Sequence, residues 1–132
     1  MMCPHVLIVD DNRDLADNLA EILAEEGCTT RTAYSGEEAL KAAEGVHFDL
    51  VLTDIRMPGM NGVELVRRLA VREPATTFLL MTAYTSDQVL RAAEHLGCVR
   101  AVLAKPLAIE RLLALLADTT RSLRASHRQA NE

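Results

Sequence analysis

Asp54 ends an apolar run, Leu50-Val51-Leu52-Thr53, and is followed by Ile55-Arg56-Met57-Pro58-Gly59-Met60-Asn61-Gly62. Two more carboxylates, Asp10 and Asp11, end the run Val6-Leu7-Ile8-Val9. Thr82 ends a third run, and Lys105 with Pro106 ends a fourth. Polar groups placed repeatedly at the ends of buried strands imply one site on one edge of a sheet. Three carboxylates, a hydroxyl and an ammonium gathered there would suit a divalent metal and a phosphoryl group.

Taken singly, each residue has an ordinary reading. Adjacent aspartates after a strand are often helix caps. An Asp before Met57-Pro58-Gly59 can simply form a turn. A Thr at a strand end is usually structural, and a Lys before Pro is usually solvated. The conjunction on one edge is what points to chemistry. Carboxylates at hydrogen-bonding range repel by roughly 4 kcal/mol per pair at an effective dielectric near 20. A divalent cation and the Lys105 ammonium would offset that repulsion. Oxygen donors suit Mg²⁺ or Mn²⁺, and no His or Cys lies beside the acids to favour zinc. A carboxylate can itself accept a phosphoryl group as an acyl phosphate. Lys105 would then hold a phosphoryl oxygen as a point charge, and Thr82 could donate to another.

These residues need a scaffold. The 132 residues fit one domain, and a 49% hydrophobic composition is enough for a real core. Apolar runs predict strands at 5–10, 29–34, 49–53, 77–82 and 100–104. Four are continuously apolar, as in a parallel sheet covered on both faces. Residues 29–34 are polar and rich in β-formers, which predicts an edge strand. Helices are predicted over 13–26, from Ser35 (the N-cap, with Glu38 at capping-box spacing), from near Gly62, from Ser86-Asp87 to Gly97, and after Pro106. Their apolar stripes include Leu15, Leu19, Ile22 and Leu23; Val63, Val66 and Leu69; Val89, Leu90, Ala93 and Leu96; and Ile109, Leu112, Leu113 and Leu116. The pattern is an α/β doubly wound fold, five parallel strands alternating with five helices. In such folds ligands bind at the carboxyl ends of the strands, near the switch in strand order. The polar segment 123–132 is expected to fray.

Several function classes drop out. A net charge of −5 argues against non-specific DNA binding, and 3% aromatics without Trp against a base-stacking platform. Cys3, Cys28 and Cys98 form no metal motif and read as free thiols in a reducing cytosol. No signal peptide or membrane span is visible.

The motifs Val9-Asp10-Asp11, Thr53 through Gly62, Met81-Thr82-Ala83 and Lys105-Pro106 together resemble the receiver domain of two-component response regulators. The resemblance covers roughly residues 4–120, with the receiver unit placed at 4–122. It implies a parallel sheet in strand order 2-1-3-4-5, with Asp54 as the phosphoacceptor. Asp11, Asp54 and the Arg56 backbone carbonyl would be direct Mg²⁺ ligands, with Asp10 acting mainly through water. Thr82 and Lys105 would sense the phosphoryl group. The donor would be a histidine on a partner kinase or phosphotransfer domain. His5, His47, His95 and His127 are then not needed for the chemistry. A homodimer through the fourth helix, fifth strand and fifth helix is a further expectation, and Leu115, off the core stripe, could mark it.

Two departures from the family pattern stand out. Val102 occupies a fifth-strand position that usually carries an aromatic ring. Tyr84 could substitute as a shield for the acyl phosphate, and the Arg56 side chain could tune its lifetime. The segment from Gly97 to Lys105 is also one residue longer, through Cys98-Val99-Arg100-Ala101. Two other classes compete with this reading. A dehalogenase-like phosphatase would want Asp-x-Asp on the first strand, where this chain has adjacent acids. An interaction scaffold that no longer accepts phosphate would not need the intact acid, Thr and Lys set.

Overall fold

The computed structural model describes residues 3–83 and 87–131. Strands and helices alternate: β1 (His5–Val9), α1 (Arg13–Glu25), β2 (Thr29–Ala33), α2 (Gly36–Ala42), β3 (Leu50–Asp54), α3 (Gly62–Arg72), β4 (Thr77–Thr82), α4 (Asp87–Glu94), β5 (Val99–Ala104) and α5 (Ile109–Asn131). All pairings are parallel and the order is β2-β1-β3-β4-β5, as the resemblance implies. The three interior strands are almost wholly buried, whereas β2 alternates exposed and half-buried positions at an edge.

Strand side chains alternate between two cores. Leu7, Val9, Val51, Phe78 and Leu80 face a layer built with Ala39, Ala42, Leu65, Val66 and Leu69 of α2 and α3. Val6, Ile8, Leu50, Leu52, Leu79 and Met81 face Ala16, Leu19 and Leu23 of α1 and Leu112 and Leu116 of α5. The order turns at β1, whose two neighbours are β2 and β3. Val9 lies level with Thr53, so the next residues, Asp10 and Asp54, leave adjacent strands side by side.

Helix starts are set by side chains that accept orphan backbone N–H groups. Asn12 accepts from Leu15, Ser35 from Glu38 and Asn61 from Glu64, at 3.2, 3.1 and 2.9 Å. The cap after β1 is therefore Asn12, which leaves both preceding aspartates for other work. Ser86 and Tyr84 lie outside the described residues, as do the side chains of Val89 and Leu90.

Three features add to or differ from the sequence expectation. The extra residue before Lys105 is taken up as a β-bulge: Phe78 pairs with Val99, but Leu79 pairs with Ala101, so Arg100 has no register partner. A bulge absorbs one residue without shifting the alternation of those that follow. Helix α5 continues to Asn131 where a frayed tail was expected. Segment 123–131 contains no Gly or Pro to stop it. Leu115 is half-buried against the core rather than exposed.

Candidate functional site

Asp10 is fully buried just past β1. Its backbone N–H donates to the Ala33 carbonyl at 3.1 Å, which fixes it against β2. One carboxylate oxygen accepts from the Asn12 backbone N–H at 2.9 Å. The other accepts from Lys105 Nζ at 2.7 Å. Asp54, the last residue of β3, is 7% exposed and accepts from the same Nζ at 3.1 Å. Asp11 is exposed. Each of the three acids offers an oxygen, and these oxygens lie within 4.8 Å of one another.

Burial pushes the Asp54 carboxyl above the ordinary aspartate range, and the Asp10 charge adds to the push. The Lys105 hydrogen bond and charge, and a bond from the Arg56 backbone N–H, oppose it without cancelling it. For Lys105 burial acts downward, but hydrogen bonds to Asp10 and Asp54 and their charges outweigh it, so its ammonium is held more firmly than usual. One cation against three carboxylates leaves the pocket with surplus negative charge. An all-oxygen donor set with that surplus fits a hard divalent cation.

Thr82 ends β4 at 1% exposure, one residue past Met81, which lies level with Asp54. The Thr82 carbonyl accepts from the Lys105 backbone N–H at 2.8 Å, so the hydroxyl-bearing and ammonium-bearing residues are tied through their main chains. The Lys105–Pro106 peptide is cis. The loop from Ile55 to Asn61 is pinned on both sides. Met57 is buried in the core, and the Gly62 N–H donates to the Ile55 carbonyl at 2.8 Å. Gly59 adopts φ +78°, a conformation that suits glycine. Arg56 is exposed at the start of this loop.

Thus Asp10, Asp11, Asp54 and Lys105 converge as expected, and Thr82 stands on the same edge. Val102 is half-buried, level with Leu80, and borders a surface concavity of about 310 Å³ with Ala93, Glu94 and Arg100. Tyr84 cannot be placed because it lies outside the described residues. The described histidine side chains have other partners. His5 packs on Phe48, His47 pairs with Glu73 and Asp49, and the His95 ring meets the Arg91 carbonyl. Sequence reasoning missed Asn12, whose polar side chain just before an apolar stripe signals a cap.

Known proteins are similar to this chain in sequence and fold. A family model described as the response regulator receiver domain matches residues 6–117. A response regulator receiver protein of Anaeromyxobacter sp. (strain Fw109-5) is 49% identical over 109 residues, 83% of this chain and 45% of that protein. Sporulation initiation phosphotransferase F of Bacillus subtilis (strain 168) is 34% identical over 112 residues, 85% of this chain and 90% of that one. The chain therefore spans less than half of the first relative and nearly all of the second. Among solved structures, a CheY-like receiver domain protein from Methanospirillum hungatei JF-1 superposes with a TM-score of 0.87 at 26% identity, covering 95% of this chain and 99% of that one. The response regulator TrrA of Thermotoga maritima, solved in complex with Mg²⁺-BeF, superposes at 0.75 with 31% identity over 88% of this chain and 98% of that one. Among the described residues, no helix is long and apolar enough to cross a membrane. Strand order, acidic edge and sequence similarity lead to one conclusion: this chain belongs to the response regulator receiver domain family of two-component systems.

Proposed function

We propose that Asp54 accepts a phosphoryl group from a phosphohistidine on a partner histidine kinase or phosphotransfer domain. An Asp54 carboxylate oxygen forms the new O–P bond as the N–P bond of the donor breaks, leaving a neutral or reprotonated imidazole and an acyl phosphate. The observation that carries this reading is Lys105 Nζ seated between Asp10 and Asp54, with Asp11 open to solvent beside them. Asp11, Asp54 and the Arg56 carbonyl would hold Mg²⁺, or Mn²⁺, with Asp10 behind. The ion would neutralise charge on the phosphoryl oxygens. Lys105 exchanges its carboxylate contact for a phosphoryl oxygen, and the Thr82 hydroxyl donates to another. That movement pulls on β4 and β5 and alters the face formed by α4, β5 and α5, the surface for an effector or a second copy.

The protein works as a signalling module that dephosphorylates itself rather than as an enzyme with an external substrate. Its place is the cytoplasm, where kinase and donor meet. Tyr84 and the Arg56 side chain set the phosphoaspartate lifetime. Incubation with acetyl phosphate and Mg²⁺, followed by intact mass, tests the core of this reading. A gain of one phosphate that vanishes in Asp54→Asn supports it. An unmodified wild type would point instead to a scaffold.

A further inference from the structure

Arg13 opens α1 only two residues after Asp11, close enough in sequence to compete for the acidic pocket. It does not turn that way. Its guanidinium carbon lies 4.3 Å from the centroid of the Tyr34 ring. Tyr34 follows Ala33, whose carbonyl accepts from the Asp10 backbone N–H. The ring is itself fixed. Tyr34 Oη donates to Asp17 at 2.6 Å and accepts from the Thr32 hydroxyl at 3.3 Å. Asp17 lies one helical turn beyond Arg13, where the two could pair on one face of α1. Asp17 takes the tyrosine instead, and among the described residues Arg13 makes no ion pair. A planar guanidinium stacks well on an aromatic face.

We infer that Tyr34 is a positioning residue that parks Arg13 away from Asp11 and so preserves the affinity of the acidic pocket for a divalent cation. The inference rests on the cation-dependent reading above. Released from the ring, the Arg13 side chain turns toward Asp11, the one exposed acid of the three. A unit positive charge there neutralises part of the surplus that a divalent ion needs and repels that ion directly. Asp17 and Thr32 support the device by holding the ring still.

The test is calorimetric titration of the full chain with MgCl₂ or MnCl₂, without a phosphodonor. Tyr34→Ala is expected to weaken binding by about threefold to tenfold, the scale of one added charge near the rim. Arg13→Gln binds at least as tightly as wild type. Tyr34→Ala combined with Arg13→Gln recovers the Arg13→Gln affinity, because no cation is left to release. Tyr34→Phe keeps the stacking face and retains most of the affinity. A Tyr34→Ala protein that binds like wild type overturns the inference, as does a loss that persists when Arg13 is Gln. Wild type that binds neither cation removes the metal reading itself, and this inference with it.

Discussion

A β-carbon on Gly62 would stand 2.1 Å from the carbonyl oxygen of Asp54. The start of α3 is thus packed directly on the residue that carries the site, with no side chain between. Gly62→Ala must push backbone against backbone, because no flexible side chain is there to give way. A stability loss of about 2–3 kcal/mol is expected, at the upper end of overpacking effects. Urea unfolding measures it, and an unchanged midpoint would show that the loop yields freely. Phosphate uptake should fall as well, since Asp54 is displaced by the same push.

Asp54 itself opposes folding when ionised. Its folded-state carboxyl lies above the unfolded value, so the folded state holds a proton that the unfolded state releases. The destabilisation is absent below the unfolded value of about 3.9 and develops as pH rises through the raised folded-state range. Without metal, Asp54→Asn is therefore expected to melt higher than wild type at pH 7. The gap should narrow as pH falls toward 4. Thermal melts in EDTA across that range check the sign, and a variant less stable than wild type at pH 7 would refute it.

Lys105 works in the other direction. Its ammonium is mostly buried and bonds to two buried carboxylates. Lys105→Ala leaves those acids facing each other, and a loss of about 3 kcal/mol is expected in metal-free buffer. Added Mg²⁺ should recover more stability in the variant than in wild type, because it replaces the missing positive charge. Equal recovery in both proteins would mean that lysine and metal do not share the charge deficit.

Arg100 is the residue that the β5 bulge ejects, and its side chain is exposed. Among the described residues it pairs with Asp118 of α5, across 3.5 Å at the surface, a contact that contributes little. Deleting Arg100 would let Val99 and Ala101 pair regularly with Phe78 and Leu79. The deletion is expected to fold with a stability within about 1 kcal/mol of wild type. Loss of folding would show that the bulge sets the position of Lys105, five residues on.

The apolar runs and amphipathic spacings of the sequence determined the five strands, the five helices and the strand edge on which the polar residues stand. Those features are local: continuous runs need burial on both faces, and stripes at helical spacing need a sheet to cover. The identities of Asp10, Asp11, Asp54, Thr82 and Lys105 were legible for the same reason, since each ends a run. What remained for the tertiary structure were relationships between elements. The extra residue before Lys105 had no meaning until β4 set the register against which Arg100 bulges. Leu115 looked exposed on a helix considered alone, and became half-buried once α5 lay on the sheet. Arg13 and Tyr34 are far apart in the chain, and only the β1–β2 pairing brings ring and guanidinium together. Whether neighbouring charges attract, repel or are held apart depends on distances of a few ångströms between strands and helices, and those distances are decided by packing.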